Sequence, residues 1–312
     1  MPVNYISILR LLAVLLVINS HCGIFYPSSL SVLGTGGALA NAIFFFCSGF
    51  TLRLSNKNIG FVKWMTKRII RIYPSVWIFL LFCNLFLGEK YSINDFIITP
   101  FWFVNAIFIF YILFYFINKY IPQKLALIIV LLCIPYLLTF FFLNDYSVFL
   151  IDWVDNSTYL HWYYYFALML FGTYCSNHYC TTIHNPSLKL LLALSLYFAF
   201  KFIVKNNESL YLYQVIIPLG LFPICWYILG FTKKMEPLLH KGTFLYNIIE
   251  RISRLSLDTY ITQFSIIAFY QTLNIPFRLI LVFISVILAA EILYRASDLC
   301  RKWIIKILPL AK

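Results

Sequence analysis

Long stretches of this chain contain no aspartate, glutamate, lysine or arginine; they include 72–88, 96–118, 125–144, 209–232 and 259–277. Most approach the roughly 20 residues that a helix needs to cross the hydrocarbon core of a bilayer. A spanning segment must satisfy its backbone hydrogen bonds internally, so the pattern predicts an all-α polytopic transmembrane bundle. Composition agrees, with 62% apolar and only 11% charged residues, where soluble domains carry about a quarter charged. An ordinary cytosolic enzyme, a disordered chain and a disulfide-stapled secreted domain are excluded. The eight cysteines fall mostly within apolar runs and form no C-x-x-C pair. They read as small packing residues, with no metal site implied. Arg10 interrupts the first apolar run and no small-residue cleavage site follows, so the N-terminus does not read as a cleaved signal.

Ten spans are expected, at 5–22, 36–53, 72–88, 101–118, 125–143, 159–176, 188–204, 211–231, 255–273 and 279–296, forming one domain over residues 1–312. The net charge of +13 would suggest nucleic acid in a soluble protein. In a membrane protein, basic residues instead mark cytoplasmic loops. One set of loops and the C-terminal tail holds nineteen of the 24 lysines and arginines, including Arg53, Lys63, Lys67, Arg68, Arg71, Arg251 and Arg301. The opposite loops hold only Lys90, Lys201, Lys205 and Arg278. Both termini are therefore expected in the cytoplasm, with the lipid bilayer as a partner and no nucleic acid.

Arg10 and His21 lie eleven positions apart in the first span. Eleven steps at 3.6 residues per turn make just over three turns, so both side chains lie on nearly one face, about 16 Å apart along the axis. Ionisable residues inside a span are costly and usually face a polar cavity. One reading is a polar channel touching both. The alternatives are an interfacial arginine reaching lipid phosphate and a hydrogen-bonded histidine at the outer interface. His21 is the only histidine in the first 160 residues. An imidazole titrates near neutral pH, which makes His21 the natural general base if the protein is an enzyme.

The second span ends Phe44-Phe45-Phe46-Cys47-Ser48-Gly49-Phe50. Ser48-Gly49 is a small pair where helices can approach closely or a ligand can pass. Further on comes Arg68-x2-Arg71-Ile72-Tyr73-Pro74. Arginines three apart share a helix face and suit phosphate groups, although the same residues also read as topology markers. The ordered set, from Arg10-x10-His21 to Pro74, resembles the membrane-bound acyltransferase 3 family along the whole chain. Trp102-Phe103-Val104 and Leu255-Ser256-Leu257-Asp258-Thr259-Tyr260-Ile261-Thr262-Gln263 resemble two later elements of that family. Two positions depart from it: Ile107 stands where many relatives carry glutamate, and Gln263 where many carry histidine.

The resemblance implies acyl transfer, commonly acetyl, from cytoplasmic acetyl-CoA or another acyl-CoA to a hydroxyl of an exported or cell-envelope glycan or lipid-linked sugar. It implies location in a bacterial inner or plasma membrane. On this reading His21 is the base and Arg10 holds the donor as it enters the bundle. Arg68 and Arg71 meet its phosphates, and Ser48 donates to the developing oxyanion. The segment 144–165, with Asp145, Asp152, Trp153, Asp155, His161, Trp162, Tyr163, Tyr164 and Tyr165, is either an acceptor platform or an interfacial aromatic belt. Glu291 either pairs with Arg295 or meets Arg10, and Asp258 has no assigned role. An exporter of polysaccharide or another envelope precursor, without acyl-transfer activity, is the competing reading.

Overall fold

The computed structural model describes residues 4–53, 59–143, 147–150, 159–177, 183–270 and 277–307. Among them there is no strand. Twelve α-helices are present among the described residues: α1 Asn4–His21, α2 Gly37–Arg53, α3 Phe61–Phe82, α4 Trp102–Tyr120, α5 Leu125–Leu131, α6 Cys133–Leu138, α7 Leu160–Asn177, α8 Pro186–Lys205, α9 Leu221–Met235, α10 Phe244–Arg254, α11 Ser256–Phe269 and α12 Phe277–Ile307. Tighter helical turns extend several of them, notably Glu208–Gly220 ahead of α9.

Every expected span is represented by helix. Among the described residues, eight helical stretches are long and apolar enough to cross a membrane. Two others fall short for different reasons. The tyrosines, histidine and asparagine of α7 lower its hydropathy, and α11 has only 14 residues. The protein is an all-α polytopic membrane protein.

Two boundaries differ from expectation, and both move charge onto helices. The third span was expected from residue 72, but α3 begins at Phe61, directly after Gly60. Its first turns are amphipathic. Phe61 packs edge-on to Tyr115 at 5.2 Å, and Trp64 stacks on Phe114 at 6.1 Å. Lys63, Lys67, Arg68 and Arg71 therefore ride on a helix that is anchored by its aromatic side, rather than in a loop. At the other end, α12 runs 31 residues, about 46 Å at 1.5 Å per residue. Arg301, Lys302 and Lys306 belong to that helix and not to a tail.

The chain divides into two compact units. The first comprises the described residues of Met1–Ala13, Ala38–Lys57 and Phe116–Asn247; the second, those of Val14–Gly37, Asn58–Tyr115 and Ile248–Lys312. In the first unit α5 lies beside α7, and α8 packs on α9 and on Glu208–Gly220. A close crossing joins α2 to α7. A Cβ added to Gly49 would come within 1.7 Å of the Met169 carbonyl oxygen, and one added to Gly172 within 2.1 Å of the Phe46 carbonyl oxygen. Only glycine permits backbones this close. The Thr173 hydroxyl bridges the same crossing, donating to the Gly49 carbonyl at 3.0 Å. In the second unit, α3, α11 and α12 pack on one another.

Candidate active site

Arg10 and His21 are carried by one uninterrupted helix, α1. Arg10 is half-buried, and its guanidinium donates to the Thr51 hydroxyl at 3.4 Å. That hydroxyl is itself fixed, donating to the Cys47 carbonyl at 2.8 Å. Arg10 is thus tied to the end of the Phe44–Phe50 motif by way of α2.

His21 is the last residue of α1 and is partly exposed. Its ring lies 4.3 Å from the ring of Phe264 on α11, close to edge-on. Among the described residues the imidazole makes no hydrogen bond, so its nitrogens are available to a substrate hydroxyl. The segment that follows is locked around Asn19. Tyr26 donates to the Asn19 side chain at 2.7 Å, and Asn19 donates to the Leu33 carbonyl at 2.7 Å. Burial raises the Tyr26 phenol above its ordinary pKa, which keeps it a neutral donor. Both strands of this segment touch at glycine: a Cβ on Gly34 would fall 2.5 Å from Gly23 Cα. His21 consequently ends a helix whose exit path is fixed.

Arg68 and Arg71 both lie on α3, but in unlike surroundings. The Arg68 guanidinium sits over the Trp64 ring at 4.3 Å and 5.7 Å from the Tyr111 ring. Its Nε is buried and finds no hydrogen-bond partner among the described residues. Arg71 is exposed. A stacked guanidinium keeps its N–H edge free for an anion while its face is held by the aromatic ring. Arg68 is therefore pre-oriented, and Arg71 supplies an exposed second charge one turn away.

Ser48 is half-buried and donates to the Phe44 carbonyl at 2.9 Å, one turn back in its own helix. That proton is committed to the backbone, so the expected oxyanion donor would first have to rotate away. Next to it, Gly49 serves the α2–α7 crossing. Close helix approach is thus the role that the Ser48-Gly49 pair visibly performs.

Part of the expected acceptor platform points inward. Tyr164 and Tyr165 are buried in the first unit, where Tyr165 lies 5.2 Å from Phe45 and Tyr164 6.0 Å from Tyr136. His161 is buried as well, while Trp162 and Tyr163 are half-buried. Asp145, Asp152, Trp153 and Asp155 lie outside the described residues.

Sequence reasoning missed a polar network in the second unit. Arg301 donates to the Ser75 hydroxyl at 3.0 Å and to the Ser297 hydroxyl at 2.7 Å. Ser75 in turn bonds the carboxyl of Asp258, which is 1% exposed. Three helices, α3, α11 and α12, are tied together there by two hydroxyls, a guanidinium and a carboxylate. Arg301 had been read as a topology marker, and no spacing rule links it to residue 75. Glu291 binds Arg251, with one contact at 2.6 Å, and Arg295 at 2.6 Å. The expected pairing with Arg295 is present, and the second partner is Arg251. That carboxylate raises the pKa of Arg251 by hydrogen bonding.

Of the two departures from the resembled pattern, Ile107 has a structural explanation. Ile107 is 5% exposed and packs as an apolar core residue. Ahead of it, Asn105 clamps Thr99, accepting from its backbone N–H at 3.0 Å and donating to its carbonyl at 2.7 Å. This fixes the turn into Trp102-Phe103-Val104. Gln263 is fully buried on α11.

A family model described as an acyltransferase domain matches residues 3–294. No curated protein and no solved structure matches the chain.

Proposed function

The chain belongs to the acyltransferase 3 family, an integral-membrane acyltransferase by that membership, and on this premise we propose an acyl-CoA-dependent O-acyltransferase acting on a glycan or lipid-linked sugar. The family match over nearly the whole chain carries the reading and favours an enzyme over an exporter. The acyl group is acetyl, the membrane is a bacterial inner or plasma membrane, and both termini face the cytoplasm. Supporting this donor are a stacked, edge-free guanidinium at Arg68 and an exposed Arg71, which together suit the polyanionic end of coenzyme A.

His21 is the general base. It removes the proton from an acceptor hydroxyl as that oxygen attacks the thioester carbonyl. The new C–O bond forms, the C–S bond breaks, and the leaving thiolate takes up the proton from the imidazolium. No covalent acyl-enzyme is needed. Arg10, tethered through Thr51, contributes positive charge to the donor along α1.

The test is reconstitution of purified protein with radiolabelled acetyl-CoA and an envelope-glycan extract. Label passing to glycan in the wild type, and not in His21→Ala, is the expected result. An unlabelled glycan overturns the function; full transfer by His21→Ala overturns the base.

A further inference from the structure

Polar side chains buried in a protein are almost always hydrogen-bonded, and each exception calls for a partner. The largest local group of exceptions lies on one face of α11. Thr259 and Gln263 are both fully buried, four residues apart and hence one turn apart. The Thr259 hydroxyl oxygen and both amide atoms of Gln263 find no partner among the described residues. By contrast, neighbouring Thr262 is satisfied, donating to the Asp258 carbonyl at 2.9 Å. Leaving an amide and a hydroxyl dry and unpaired costs about 1–3 kcal/mol for each group. An apolar residue at either position would avoid that cost.

Three facts indicate what completes the group. A primary amide presents a donor and an acceptor side by side, which matches the C=O and N–H of another amide. A hydroxyl one turn away can serve either atom. Phe264, whose ring rests 4.3 Å from His21, belongs to the same helix, α11, as the unpaired atoms. We infer that Thr259 and Gln263 form a binding site for an amide of the acyl donor's thioester-bearing arm. This assignment rests on the acyl-CoA reading above. In such a donor an amide nitrogen lies two carbons from the thioester sulfur, so holding that amide on α11 keeps the thioester within a few atoms of the helix that His21 contacts. No charged group is required, in keeping with a neutral ligand segment.

The test compares two small donors in membranes that contain the acceptor, with thiol release as the readout. S-acetyl-N-acetylcysteamine carries the amide; S-pentyl thioacetate has the same chain length without it. The wild type should favour the amide donor in kcat/KM by about tenfold or more, the equivalent of one net hydrogen bond to a buried group. Gln263→Leu should lower kcat/KM selectively for the amide donor and bring the two donors to near equality. A structural role for Gln263 would lower both rates together. Preference retained in Gln263→Leu overturns the site. So does equal use of both donors by the wild type, which leaves acyl transfer itself standing. If Gln263→Leu loses both rates, the near-isosteric Thr259→Val decides: a reduced preference supports the site, and an unchanged one overturns it. A wild type that releases thiol from neither donor nor acetyl-CoA overturns the function and this assignment with it.

Discussion

Within each of the two compact units, one helix junction is built by means opposite to the other's. In the first, α2 and α7 meet backbone to backbone through Gly49 and Gly172, and the polar atom at the crossing, the Thr173 hydroxyl, is satisfied by a carbonyl. In the second, α3, α11 and α12 are joined through Ser75, Asp258, Ser297 and Arg301. The first solution is rigid and tolerates no added atoms. The second is specific, yet leaves polar atoms such as Asp258 Oδ1 and Arg301 Nε unused. In a bilayer, where lipid is as apolar as leucine, close packing and interhelical hydrogen bonds are the available sources of helix association. Each of these two junctions relies chiefly on one of them. Unused polar atoms occur in both units, and those of Asp258, Thr259 and Gln263 lie in the unit that also contains His21.

The sharpest way to break this contrast is at Gly49. Gly49→Ala places a methyl where the Met169 carbonyl oxygen already lies, 1.7 Å away, so the helices must separate. A loss of at least about 3 kcal/mol is expected, the upper end for overpacking. It should show as a large drop in thermal unfolding temperature in detergent. An unchanged melting temperature would mean that the crossing is looser than described. The matching change in the second unit is Asp258→Ala, which removes the acceptor of Ser75 and weakens the hold on Arg301. Hydrogen bonds between membrane helices have modest net value, so about 1–2 kcal/mol is expected. If Asp258→Ala proved as damaging as Gly49→Ala, the polar network would be the stronger tie and the contrast would reverse.

How much of this was legible beforehand follows from what hydropathy measures. Charge-free runs report whether a segment prefers lipid to water, and that suffices for helices and for the class of protein. They do not report which face of a helix meets another helix. Gly49 could be read as a place of close approach, but its partner Gly172 lies far along the chain and carries no motif. Arg68 and Arg301 looked like loop charges because charge and helix are usually anticorrelated in membrane proteins. In the structure Trp64 shelters the first, and two serines and Tyr294 shelter the second. Arg10 and His21 were legible because eleven residues of one helix fix their relation without any tertiary knowledge. Gln263 was visible only as a departure from a family pattern; its complete burial needed coordinates.

Smaller changes sharpen the comparison at the level of single side chains. Arg68→Lys keeps the charge but loses the planar stack on Trp64. A loss of about 0.5–1 kcal/mol in stability is expected, together with a severalfold rise in KM for acyl-CoA at unchanged kcat. An unaltered KM would detach Arg68 from the donor and leave it as an aromatic anchor of α3.

The smallest effect is expected at Ser48, in the tightly packed unit. Its hydroxyl donates to the Phe44 carbonyl, an oxygen that the helix ladder already uses, so the bond adds little to stability. Ser48→Ala should change stability by less than about 0.5 kcal/mol, because this hydroxyl is not the sole partner of a buried group. Acyl transfer should stay within about threefold of wild type. Removing a true oxyanion donor costs on the order of a hundredfold or more in kcat. A loss of that size, at unchanged melting temperature, would show that Ser48 leaves Phe44 during the reaction. Ser48 would then join Arg10 as a first-unit residue that acts on the donor, and the purely structural role of the Ser48-Gly49 pair would fail at its hydroxyl.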